Sequence, residues 1–215
     1  NVQEQVASAT QIRRACRRLA TLVDNCLVSE RLVDGALRLQ LTRVSLRELV
    51  SEAAELVQWS RRHRLLLHMA PRPAVWACDA TLLRIALSNL VDNALKYSDP
   101  CEIVVASAWN QDTQTLSLSV SDAGPRVPPD SASRLFERGQ HGGHPASGFG
   151  LGLWAVQCIA QLHGGTLSLT PSPQGGNCFA LHLPVLALQK SVGDEDEWQA
   201  GAASAVMSAN SPQGQ

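Results

Sequence analysis

The sequence predicts an α/β domain preceded by one long helix. Between residues 45 and 184, helical patterns alternate with short strand-like runs bounded by Gly, Pro and Asn turns. Residues 8 to 40 instead carry a heptad repeat. At 215 residues, 45% hydrophobic and 17% charged, the chain has room for one sizeable domain and an accessory element.

In the first segment Ile12, Leu19, Cys26 and Val33 recur at heptad spacing, with Cys16, Val23 and Leu37 interleaved and Glu30 interrupting the seam. Such a stripe needs covering by a partner helix, a second copy or the chain's own domain, and periodicity does not choose among them. Ser45-Leu46-Arg47-Glu48 is a capping box that opens a helix running to about residue 62. Residues 65 to 69 form a short strand, after which Pro71 and Pro73 break the pattern. Asp79 caps a helix reaching Tyr97. Strands at 102 to 109 and 115 to 121 follow, separated by a polar turn. Residues 123 to 149 are rich in Gly, Pro and Ser, with one apolar patch, Leu135-Phe136; loops of this length in a domain are functional or mobile. A helix at 152 to 163 stops at Gly164-Gly165, and strands at 166 to 170 and 177 to 183 close the domain. After Pro184 an acidic run and an Ala/Ser/Gly/Gln stretch predict a disordered tail. The expected division is therefore 1–42 for the helix, 43–186 for the α/β domain and 187–215 for the tail.

Composition narrows the function classes. A formal net charge of −1 supplies no field that draws the chain to nucleic acid or to an anionic membrane. The six cysteines form no CxxC pair and four lie in apolar runs, which predicts buried reduced thiols in a cytosolic setting. No apolar stretch reaches the ~18 to 20 residues of a membrane span. The chain begins at Asn1 without a signal-peptide pattern, so the expectation is a fragment with any membrane anchor upstream.

Three clusters carry chemistry. In "NLVDNALKYS", at about 100° per residue, Asn89, Asp92, Asn93 and Lys96 share one helical stripe, while Leu87, Leu90, Val91, Ala94 and Leu95 point the other way. A solvated helix face also looks like this, yet two asparagines four apart are poor helix formers. Their amide oxygens suit Mg²⁺ bridged to phosphates, and Lys96 suits phosphate charge. "GFGLGL", residues 148 to 153, puts alternating glycines before a helix N-terminus, where backbone N–H groups meet anions. It is neither the Rossmann nor the Walker pattern. Asp122 and Gly124 end a strand; a carboxylate accepts from an exocyclic amine, and a glycine lets a flat base approach. Alone, that pair is also an ordinary Asp-x-Gly turn.

Taken in order, these pieces resemble the ATP-binding domain of two-component sensor histidine kinases, a group of Bergerat-fold ATPases. "NLVDNALKYS" resembles the N box, "DAGPRV" the first glycine box, "LFERG" the F box and "GFGLGL" the second glycine box. "RRLATLVDNCLVSERLVDGAL" resembles the second helix of the family's dimerisation and phosphotransfer domain. The resemblance implies a two-layer α/β sandwich, a mixed sheet with helices on one face and ATP on the helical side. It implies that Asn89 and Asn93 contact Mg²⁺ and phosphate, that Lys96 contacts phosphate and that Tyr97 lies near the nucleotide. Asp122 would read the adenine amine beside Gly124. Gly148, Gly150, Leu151 and Gly152 would line the phosphates, and Phe136 would anchor a mobile lid. It further implies transfer of the γ-phosphoryl to a histidine, relay to a response-regulator receiver domain, a homodimer through the N-terminal helix and a place on the cytoplasmic side of the bacterial inner membrane.

The sequence departs from the pattern twice. Arg126, after Pro125, stands where the family has its second glycine. Were positive φ needed there, the cost would be on the order of 1 kcal/mol or more, although Arg126 could add charge near the phosphates. This residue is the main support for the alternative reading, a degenerate signalling module. None of the six histidines has the phosphoacceptor context, so the fragment is expected to bind ATP without phosphorylating itself. Related chaperone and topoisomerase ATPases carry a glutamate at the first N-box position, where this chain has Asn89.

Overall fold

Asp79 begins the central helix as its sequence predicts: its Oδ1 accepts from Leu82 N at 3.1 Å. Its Oδ2 takes Gln40 N at 3.0 Å, so one carboxylate caps the helix and pins the entering chain. Ser45 accepts from Glu48 N at 3.4 Å, a longer version of the predicted cap. The computed structural model describes residues 38–57, 63–70, 75–99, 101–132, 134–139 and 150–185, with positions 8, 9, 12, 16, 19, 20, 23 and 25–28 of the N-terminal segment. Gly148, Val33, Leu37 and the predicted tail from 187 lie outside the described residues.

The elements are β1 (Thr42–Ser45), α1 (Leu46–Leu56), β2 (Arg64–His68), β3 (Val75–Cys78), α2 (Ala80–Tyr97), β4 (Glu102–Asn110), β5 (Thr115–Ser121), α3 (Gly152–Leu162), β6 (Thr166–Pro171) and β7 (Asn177–Pro184). A single helical turn at Pro129–Ala132 and a 3₁₀ turn at Arg134–Phe136 lie between β5 and α3. A five-stranded sheet runs β2-β4-β5-β7-β6; β2 pairs parallel with β4 and the other neighbours are antiparallel. The fold is therefore the expected α/β arrangement on a mixed sheet. Ile103 and Val105 of β4, Leu116, Leu118 and Val120 of β5, and Phe179, Leu181 and Leu183 of β7 are buried. They meet Leu83, Leu87, Leu90 and Val91 of α2 and Val156 and Ile159 of α3 in one core.

Two points depart from the sequence reading. The first domain helix ends at Leu56 rather than about 62, because Val57 turns extended and buries its side chain in the core. Two strands had no sequence signal, β1 and β3, which pair with each other as a separate ribbon. His163 ends α3 and is 3% exposed. Among the described positions from 8 to 28 all are helical, as the heptads predict.

Candidate functional site

α2 carries the predicted polar stripe. Near its middle Asn89 is buried, and a Cβ added to Gly152 would lie 3.3 Å from Asn89 Oδ1. The N-box amide and the first residue of α3 are thus in direct apposition. Among the described residues no side chain caps the N-terminus of α3, and first-turn N–H groups of a helix suit an anion. Gly150 has φ +66°, a conformation that glycine adopts without strain, and its carbonyl accepts from Gly139 N at 3.2 Å. Leu151 is half-buried at the helix start. Phe136 packs against the core beside α3. Arg138 adds a cation–π contact, 5.6 Å from the Trp154 ring centre.

The stripe's polar groups are not all idle. Asn89 Nδ2 donates to Asn25 Oδ1 at 2.8 Å, and Asn25 Nδ2 donates back to Asn89 Oδ1 at 3.2 Å. Lys96 is ion-paired with Asp92 one turn back on the same helix. Asn93 is half-buried, and its side chain has no hydrogen bond to any described residue.

The other end lies where α2 finishes. Gly124 is confined from the side where a Cβ would project: that atom would be 2.7 Å from Tyr97 O and 3.1 Å from Ser98 Cα. The glycine is needed because the strand end abuts the helix backbone, a packing reason that stands beside the expected approach of a flat base. Asp122 is 3% exposed. Its Oδ1 accepts from Gly124 N at 2.8 Å, Asn177 N at 3.3 Å and Asn177 Nδ2 at 3.4 Å. Its Oδ2 has no hydrogen bond to a described residue.

Arg126 resolves differently from both expectations. Among the described non-glycine residues only Gln114 has positive φ, so Arg126 carries no left-handed strain. Its Nε donates to Gly175 O at 2.9 Å in the β6–β7 turn, so the side chain is fastened there. The steric ground for a degenerate loop is absent. Sequence reasoning missed Asn177, Gly176 and Asn25. The Gly175-Gly176 pair was the available signal for the first two, since paired glycines before a strand mark a close backbone approach.

Burial pushes the Cys78 thiol up to about 12, with Asp79 adding to the effect, and burial also raises that of Cys158. All six cysteines are free, but only Cys78 and Cys158 are fully buried; Cys101 and Cys178 are half-buried, and Cys16 and Cys26 are exposed. Among the described residues no cluster of His, Cys, Asp and Glu fits a metal, and no helix is long and apolar enough to cross a membrane.

The histidine kinase-, DNA gyrase B- and HSP90-like ATPase family matches residues 78–187. The chain belongs to that family. Within it, the similarities are to sensor kinases. The sensor protein KdpD of Escherichia coli (strain K12) is 29% identical over 178 residues, covering 82% of this chain and 20% of KdpD. The adaptive-response sensory kinase SasA of Crocosphaera subtropica is 30% identical over 186 residues, covering 81% of this chain and 47% of SasA. Full-length ShkA, solved in complex with AMPPNP, superposes with a TM-score of 0.69 at 27% identity, over 87% of this chain and 40% of ShkA. This chain therefore spans from a fifth to about half of those relatives, and it is the ATP-binding catalytic portion of a sensor histidine kinase.

Proposed function

We propose that this portion binds ATP along α2 and presents the γ-phosphoryl to a histidine outside residues 1–215, for relay to the aspartate of a response-regulator receiver domain. One observation carries the reading. The Asn89–Gly152 contact and the Tyr97–Gly124–Asp122 contact lie eight residues apart on one helix. At 1.5 Å per residue that is about 12 Å, a span that suits an extended nucleoside triphosphate.

In this arrangement Asp122 Oδ2 accepts from the adenine amine, and Tyr97 lies beside the base. The phosphates meet Gly150, Leu151 and Gly152 at the start of α3, with Gly148 preceding them and Phe136 anchoring the segment. Lys96 neutralises phosphate charge after exchanging Asp92 for it. The amide oxygens of Asn89 and Asn93 are hard donors that suit Mg²⁺, and Asn93 has its side chain free of other described partners. Asn89 serves once its pairing with Asn25 is shared or broken. Held by Asn89 and Asn93, Mg²⁺ would supply positive charge that offsets that of the phosphates. The residues themselves perform alignment, which is most of the work in phosphoryl transfer. We further assign a homodimer through the N-terminal helix and a membrane anchor to the whole protein, on the cytoplasmic face of the inner membrane.

Calorimetric titration with a non-hydrolysable ATP analogue tests the reading. Binding should require Mg²⁺ and should disappear in Asp122→Ala and Asn93→Ala. Absence of binding at millimolar nucleotide, or steady release of inorganic phosphate by the chain alone, would sink it.

A further inference from the structure

Asn177 makes more contacts with the base-reading end than any residue predicted for it. Its backbone N and its Nδ2 both reach Asp122 Oδ1, and its backbone O accepts from Asp122 N at 2.9 Å. Its side chain also spans the altered loop, with Nδ2 donating to Pro125 O at 2.8 Å and Oδ1 accepting from Val127 N at 2.9 Å. The residue is 6% exposed. Gly176 beside it leaves no room for a side chain, and Arg126 adds an outer bond to Gly175.

Resting on the ATP reading above, we propose that Asn177 is the positioning residue for base recognition, fixing Asp122 and the turn at 125–127 in one arrangement. A carboxylate free to rotate offers either oxygen in many directions. Here three N–H donors occupy Oδ1, so the rotamer is held and Oδ2 is the oxygen left without a hydrogen bond to a described residue. An acceptor fixed before binding loses less entropy when the amine arrives. Pro125 and Arg126 remove the flexibility that glycine would give this loop, and the two hydrogen bonds of the Asn177 side chain place it instead. The arrangement selects a purine with an exocyclic amine at this point. A purine with a carbonyl there meets Oδ2 as acceptor against acceptor, and a site built for one hydrogen-bond pattern rejects the other strongly.

The test compares Mg²⁺-AMPPNP with Mg²⁺-inosine triphosphate in calorimetric titrations of the 215-residue chain. The unchanged chain should prefer AMPPNP. Asn177→Ala should weaken AMPPNP about tenfold and inosine triphosphate about threefold or less, so the preference narrows. Equal weakening of both nucleotides would reduce Asn177 to a structural residue, and unchanged AMPPNP affinity would remove its role; either result overturns the proposal while the ATP reading stands. An unchanged chain that binds neither nucleotide overturns the ATP reading and the proposal together. Should Asn177→Ala fail to fold, Arg126→Ala carries the test, since that side chain is exposed. It should weaken AMPPNP about twofold to threefold, and an unchanged or raised affinity would overturn the clasp.

Discussion

A Cβ placed on Gly176 would come within 2.4 Å of Asp122 O, 2.6 Å of Asp122 Oδ1 and 2.7 Å of Gly124 N. These atoms belong to backbone or to a carboxylate already held by three donors, so none can step aside. At Gly152 the nearest atom is Asn89 Oδ1 at 3.3 Å, the tip of a side chain that can give. Gly176→Ala should therefore lower stability by about 1 to 3 kcal/mol through overpacking. Gly152→Ala trades mild crowding for better helix propensity and should leave stability unchanged or slightly raised. Urea unfolding midpoints of the two variants check this, and a Gly152→Ala loss equal to that of Gly176→Ala would show the geometry to be wrong. At this scale the sequence revealed Asp122 and Gly124 by type and position, but the space that Gly124 avoids was not legible, because it belongs to a helix end 27 residues earlier. Asn177 gave no warning for a similar reason. An asparagine after two glycines reads as turn chemistry until the facing loop is in view.

The elements hold the site through their ends. His163, the last cap of α3, joins that helix to the start of α2: its Nδ1 bonds Ile159 O at 2.8 Å, and Asp79 N donates to its Nε2 at 3.2 Å. With Nδ1–H donating, Nε2 must be unprotonated to accept, so the contact exists only for neutral imidazole. Burial lowers the His163 pKa, and the Ile159 carbonyl and Asp79 charge oppose this only in part. The unfolded chain therefore binds the proton more readily than the folded one. Stability from this group is complete above the ordinary histidine value of about 6.5 and declines as pH falls below it, toward the lowered folded value. Melting temperature should fall over that window in the parent, and the slope should flatten in His163→Gln; a slope unchanged by the substitution would remove the assignment. The capped starts of α1 and α2 were legible because caps are local chemistry. β1 and β3 were not, since two four-residue strands about 30 residues apart, the second just after Pro73, acquire meaning only by pairing with each other. The end of α1 was overrun because the side chains after Leu56 keep a helical pattern, while the buried Val57 turns the chain toward the sheet.

Over the whole molecule, the described positions of the N-terminal helix fall on two opposite faces. Asn25 and Val28 are 3% and 4% exposed and pack on the nucleotide domain, the first through the amide pair with Asn89. Ile12, Leu19 and Val23 remain 64%, 61% and 54% exposed, with Cys16 and Cys26 also exposed on their stripe. At about 100° per residue the stripe and the packed face lie roughly 180° apart. The heptads announced the stripe but not the second face, because an isolated asparagine and valine form no periodic signal. An apolar row at coiled-coil spacing that the chain's own domain leaves uncovered suits the same row of a second copy. Leu19→Asp puts a charge into that seam, so sedimentation velocity should show a shift from dimer to monomer while the urea midpoint of the nucleotide domain stays in place. Asn25→Ala tests the other face. It should leave the dimer intact and cost about 1 to 3 kcal/mol, because Asn89 then keeps a buried amide without its partner. A Leu19→Asp chain that sediments like the parent would exclude the seam as the dimer contact, and loss of the dimer in Asn25→Ala would show that the two faces are not independent.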